Sequence, residues 1–208
     1  MSQITEIKVA KGKKSRRHIY LDDGFACTLD EFTVFKHKLK VGQEITITDL
    51  EQITFESEAG VAFELAVNLI SKTPKTRKQI YEYLRSKGYL PKLCNNAIDK
   101  LAEYHYVDDE QFARMYANTY CGKYGKSKIR FMLASKGIPP QTIEAVIAEM
   151  SPQDDTIYEF AKKYMKNKEF DNQNYAKLCR YLSGKGFDWT EISEAIGRLK
   201  EERNEDGY

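Results

Sequence analysis

Only four cysteines occur, Cys27, Cys94, Cys121 and Cys179, and no two of them form a Cys-x-x-Cys pair. The three histidines, His18, His37 and His105, show no ligand spacing either. Both absences argue against a structural zinc site, and the cysteines read as small, reduced, mostly buried side chains. No apolar run approaches membrane-spanning length, and the first residues, with Lys8, Lys11, Lys13 and Lys14, lack the apolar core of a signal peptide. A cytoplasmic protein that does not enter a membrane is expected. Catalytic signatures are also missing: there is no Gly-rich phosphate loop, no His-Glu-x-x-His and no Gly-x-Ser-x-Gly. The acids Asp108, Asp109 and Glu110 stand where a helix should start, which capping and the helix dipole explain without chemistry. No catalytic residue, cofactor or metal is therefore expected.

What the chain does have is a repeat. Its 208 residues suit one large domain, two small ones or an array of modules. Gly88, Gly137 and Gly186 are spaced by 49 residues, and the same frame surrounds each. Four positions before stand Leu84, Leu133 and Leu182; eight before, Ile80, Ile129 and Leu178; one before, Lys87, Lys136 and Lys185. Ten after come Ile98, Ile147 and Ile196, and thirteen after come Leu101, Met150 and Leu199. A fixed period with recurring apolar positions marks one supersecondary unit written three times. Within it the apolar residues fall one helical turn apart on either side of the glycine, which reads as the stop of one amphipathic helix before the next.

The first 55 residues differ. Ile4, Ile7 and Val9 are spaced for a strand, and residues 17–21 and 25–29 flank Asp22-Asp23-Gly24 in the manner of a hairpin. A short helix is expected over 31–37 and a strand or helix approach at 44–47. The expected organisation is a β-rich module over 1–55, three-helix repeats over 56–106, 107–152 and 153–200, and a flexible tail over 201–208. The first repeat should open near Ser57, with Val61, Leu65 and Leu69 on its apolar face. Phe112, Tyr116, Tyr120 and Tyr124 should share the next repeat's first helix, ended by Gly122 and Gly125, and Trp189 should staple the last helix.

Charge is segregated along the chain. Six basic residues, Lys8, Lys11, Lys13, Lys14, Arg16 and Arg17, fall within ten positions, and both a phosphate-binding run and a solvated hairpin loop collect lysines in this way. From Gln111 to Ile143 there are Arg114, Lys123, Lys126, Lys128, Arg130 and Lys136 and no acid; from Lys72 to Lys87 the bases, among them Arg77, Lys78 and Arg85, face Glu82 alone. Arg77, Lys78, Arg85, Lys123, Lys126, Lys128 and Arg130 are expected to form a basic stripe for nucleic-acid phosphates or an acidic protein surface. Tyr116, Tyr120 and Tyr124, four residues apart, are placed either to stack on unpaired bases or to pack in a core.

Two segments carry a family resemblance. Residues 106–113 (Tyr-Val-Asp-Asp-Glu-Gln-Phe-Ala), with Gly125-Lys126-Ser127-Lys128-Ile129 and 133–138 after them, resemble the central signature of RecX, the regulator of the RecA recombinase. Thr76-Arg77-Lys78-Gln79-Ile80 leading into 84–89 is similar to the motif that precedes it. The resemblance implies a mostly α protein of tandem three-helix repeats, elongated and curved, behind a small β-rich N-terminal module. It also implies a monomer that lies in the groove of a RecA filament on single-stranded DNA, touching the DNA directly or through the filament. There it would inhibit recombinase, ATPase and co-protease activity in DNA repair and the SOS response. The alternative is direct DNA binding through helix-turn-helix-like modules.

Overall fold

The structure, a computed structural model, describes residues 1–22, 24–151 and 153–205. Ten helices and a four-stranded sheet are found among them, in two compact units, Met1–Val107 and Asp108–Tyr208.

In the first unit β1 (Ser2–Ala10), β2 (Lys13–Leu21), β3 (Gly24–Asp30) and β4 (Glu44–Ile45) form an antiparallel sheet of order β3-β2-β1-β4. The expected hairpin is β2 and β3, with Ile19 opposite Cys27 and Leu21 opposite Gly24; Asp23 of its turn lies outside the described residues. The sheet and the short helix α1 (Glu31–Lys36) cover a core of Ile4, Ile19, Leu29, Leu39 and Ile45. Leu50 and Ile53 complete that core, and both lie on α2 (Ile47–Ile70).

The boundary expected at residue 55 therefore falls inside a helix. Ile45, Thr46 and Ile47 suggest a strand because they are β-branched. The Thr46 hydroxyl instead accepts the Asp49 amide at 3.0 Å and starts α2 there. One helix thus serves two cores, the sheet's with its first half and the first repeat's with its second. In that second half Ala59, Ala62 and Ala66 are buried, whereas Val61, Leu65 and Leu69 are half-buried. Alanine lets α2 lie close on α4 (Pro91–Glu103), the helix it packs against most extensively. Between them α3 (Arg77–Ser86) supplies Ile80 and Leu84, and a capping box between Thr76 and Gln79 starts it.

The second unit holds two more three-helix sets. The first is α5 (Asp109–Tyr120), α6 (Lys126–Ser135) and α7 (Pro140–Glu149), the second α8 (Asp154–Met165), α9 (Asn172–Gly184) and α10 (Trp189–Glu205), each around its own core. Three sequence expectations change here. Gly125 does not end α5 but is the N-cap of α6, which leaves Tyr124 in the connection rather than on the helix. Trp189 is 63% exposed and staples nothing; Phe187 and Ile192 occupy the staple positions and are buried in one core. Residues 201–205, expected as tail, continue α10, and 206–208 lie outside the described residues, as does Pro152, expected to end the second repeat.

The repeat glycines do what their spacing implies. Gly88, Gly137 and Gly186 have φ of +91°, +82° and +93°. In each copy the glycine amide bonds back to Arg85, Ala134 or Ser183, and the next amide to Leu84, Leu133 or Leu182, at 2.9–3.4 Å. This is the complete left-handed helix cap, possible without strain only for glycine. The leucines that close it are fully buried, so truncating any one to Ala should cost about 2–5 kcal/mol.

Candidate functional site

On the first repeat the bases are held by local partners. A terminal nitrogen of Arg77 lies 3.8 Å from Asp99 on α4, and Lys78 lies 3.9 Å from Glu82 one turn along α3. Arg85 turns back to donate to the Tyr89 carbonyl at 2.7 Å, reinforcing the end of its own helix. All three remain at the surface, but none projects as an isolated charge.

The second repeat divides its bases into two groups. Arg130 makes a two-pronged contact with Glu144 of α7, at 2.7 and 3.0 Å. That bond raises the arginine's pKa and holds the Glu144 carboxyl below the usual range. Arg114 is likewise shared between Glu110, at 2.8 Å, and Glu149. The acid-free segment is thus partly neutralised by acids that follow it in sequence and return on α7.

Lys123, Lys126 and Lys128 are different, because among the described residues no carboxylate lies within salt-bridge distance of them. Lys126 and Lys128 occupy the first turn of α6, whose N-cap Gly125 offers no side-chain acceptor and whose first turn has no acid. The Lys185 and Gly186 carbonyls meet this helix end and offset part of the penalty a cation ordinarily meets there. Among the described residues the charge of these lysines has only ring contacts, Lys123 over Tyr120 and Lys128 over Phe131, and an anionic partner would offset it.

Beside this end runs a ladder of rings. Phe112 and Tyr116 have centroids 5.9 Å apart, Tyr116 and Tyr120 4.5 Å, and Tyr120 and Tyr124 6.0 Å. All three tyrosines are half-buried against the core of α5, α6 and α7, and burial pushes the Tyr116 phenol up. The Tyr116 hydroxyl reaches the Met132 sulfur at 3.7 Å. The rings therefore stand at the margin of the core, partly packed and partly at the surface.

A role that spacing alone does not disclose belongs to the lysine before each glycine. Lys87 lies over Tyr83 at 5.4 Å; Lys136 over Tyr116 at 4.9 Å and Phe112 at 5.9 Å. Lys185 is surrounded by Phe160 at 4.1 Å, Tyr181 at 5.3 Å and Tyr124 at 5.8 Å. Besides complementing the negative end of the dipole at the helix C-terminus, each lysine is held by cation–π attraction. The recurrence of lysine in the 49-residue frame was the available signal, but its aromatic partners vary from copy to copy.

On the N-terminal sheet Lys8 pairs with Glu6 at 2.6 Å and Arg17 pairs with Glu31, while Lys11 sits at the β1–β2 turn. The side chains of Lys13 and Lys14 lie outside the described residues. Among the described residues no three His, Cys, Asp or Glu side chains gather as a metal cluster, and no helix is long and apolar enough to cross a membrane. Asp108 caps α5, accepting the Glu110 and Gln111 amides at 2.8 and 3.0 Å.

Comparison with known proteins covers the chain nearly end to end. Residues 2–46 match the model of the regulatory protein RecX N-terminal domain. Residues 62–101, 108–147 and 153–196 match the first, second and third three-helix domains of RecX. A regulatory protein RecX of Clostridium tetani is 33% identical, over 96% of this chain and 95% of its own length. That of Clostridium acetobutylicum is 31% identical, over 97% and 98%; that of Bacillus subtilis is 29% identical, over 99% and 80%. In fold, a crystal structure of a regulatory protein RecX superposes with a TM-score of 0.72 at 22% identity, covering 95% of this chain and all of the other. RecX from Lactobacillus salivarius gives 0.64 at 23% identity, over 69% and 97%.

Proposed function

Since the chain belongs to the RecX family, we propose that it binds RecA filaments on single-stranded DNA and lowers their recombinase, ATPase and co-protease activities. On this reading it acts as a monomer in the cytoplasm, in DNA repair and the SOS response, as a regulator rather than a catalyst. The observation that carries the reading is that Lys123, in the connection before α6, and Lys126 and Lys128, in its first turn, have no carboxylate within salt-bridge distance among the described residues. A repeated module suits a helical polymer, because successive copies can meet successive parts of it and weak contacts then add through effective concentration. Arg77, Lys78, Arg85 and Arg130 contribute after exchanging their internal partners for RecA carboxylates or DNA phosphates.

The test is RecA-dependent ATP turnover on single-stranded DNA while this protein is titrated in. Inhibition by the natural chain, lost in Lys123→Ala/Lys126→Ala/Lys128→Ala at moderate salt, supports the reading. Equal inhibition by both proteins would overturn the assignment of that surface. A second reading, direct capture of single-stranded DNA, is favoured by the tyrosine ladder, whose half-exposed rings Tyr120 and Tyr124 lie beside Lys123 and Lys185.

A further inference from the structure

The short helix α1 is built the wrong way round for a protein that ends at its own surface. Thr33 faces the interior at 4% exposure, while Phe32 and Phe35, one turn apart, are 71% and 80% exposed. Phenylalanine is ordinarily among the residues a fold hides first, so a paired exposure marks a contact surface more often than chance. The two rings border a depression of about 890 Å³ between α1 and the middle of α2. Val61, Leu65 and Tyr89 supply its other apolar walls.

The carboxylates around this depression are mostly held by local partners. Asp30, Glu31, Glu56 and Glu64 line it, against the single cation Arg16. Glu31 pairs with Arg17, and Glu56 with Lys36 and His37, whereas Glu64 has no ion-pair partner among the described residues. Without such a partner, Glu64 attracts a cation and repels a phosphate, which favours a protein partner that presents lysine or arginine. A depression between two helices, with Phe32, Phe35, Val61 and Leu65 in its lining, suits a helix that presents an apolar stripe.

We propose that this α1–α2 groove is a docking site for a basic amphipathic helix of a partner protein, its apolar stripe seated on Phe32 and Phe35 and a lysine or arginine facing Glu64. Docking in this groove does not depend on how the lysines of α6 are used. It gives the N-terminal module a role of its own in recognition.

The probe is a fluorescein-labelled synthetic peptide with leucines at i, i+3, i+4 and i+7 and lysines elsewhere, with a glutamate-for-lysine version as its counterpart. Anisotropy with the full chain should show binding of the lysine peptide, weakened by salt, and none of the glutamate peptide. Phe32→Ser/Phe35→Ser and Glu64→Lys should each weaken it by about tenfold or more, with unchanged circular dichroism. Absence of binding, equal binding of the glutamate peptide, or variants that bind like the natural chain would each overturn the proposal. So would sedimentation showing self-association lost in Phe32→Ser/Phe35→Ser, since the occupant would then be a second copy of this chain.

Discussion

The Gly125 amide donates to the Lys185 carbonyl at 2.9 Å, which joins the start of α6 to the end of α9. Ser127 donates to the Gly186 carbonyl in the same way at 3.1 Å. Each helix end thereby satisfies the other's unpaired backbone groups, and the positive end of one dipole meets the negative end of the next. The approach is so close that a β-carbon on Gly125 would lie 2.3 Å from the Gly186 oxygen, and one on Gly186 2.4 Å from the β-carbon of Lys128. Gln153 adds to the junction, its side-chain amide donating to the Cys121 and Tyr124 carbonyls.

Alanine at three glycines should separate strain from collision. Gly88→Ala meets open space and should lose about 1–2 kcal/mol for the left-handed backbone alone. Gly125 has an ordinary φ of −73°, so Gly125→Ala should lose about 1–3 kcal/mol from overpacking alone. Gly186→Ala combines both and should be the least stable of the three. Urea unfolding followed by circular dichroism ranks them; equal losses at Gly88 and Gly186 would refute the close junction.

Releasing Arg130 should strengthen function. Its guanidinium is held at 2.7 and 3.0 Å by Glu144, and an anionic partner must break that pair to use it. Glu144→Gln should therefore lower the amount of protein that half-inhibits RecA-dependent ATP turnover, with a steeper dependence on salt. An unchanged titration would remove Arg130 from the contact surface.

The N-terminal module should be acid-sensitive through Asp30. Burial pushes its carboxyl up, but hydrogen bonds from the Ser57 and Thr33 hydroxyls and from backbone amides hold it below the usual aspartate range. A depressed folded pKa contributes stability that is present above the usual aspartate range and lost as pH falls through the lower folded value. Fully buried Ser57 donates to that carboxylate at 2.6 Å and accepts the Asp30 amide at 2.8 Å. Ser57→Ala should cost about 1–3 kcal/mol near neutrality and flatten the acid limb of the stability profile. Thermal unfolding across pH 2–6 reads both effects.

If the half-exposed tyrosines stack on bases, Tyr120→Leu/Tyr124→Leu should keep the core filled yet weaken single-stranded DNA binding by about 1–3 kcal/mol per ring. Anisotropy with a labelled oligonucleotide measures this. An unchanged affinity, with stability altered, would assign the rings to packing.

Helix stops, the repeat and the core leucines were legible from residues alone, because a left-handed cap is a local event. Gly88, Leu84 and Tyr89 lie within one turn and its exit, and their geometry is decided by the absence of one β-carbon. Thr46 as a helix start was equally local, but its β-branched neighbours competed for the reading. Only tertiary structure decided the rest. Glu144 and Glu149 return on α7 to Arg130 and Arg114; α2 is shared between two cores; the Lys185 and Gly186 carbonyls cap α6 from another repeat; and α1 turns its phenylalanines outward. Each of these joins residues far apart in the chain or sets which face meets solvent, and neither is encoded in the spacing of a single segment.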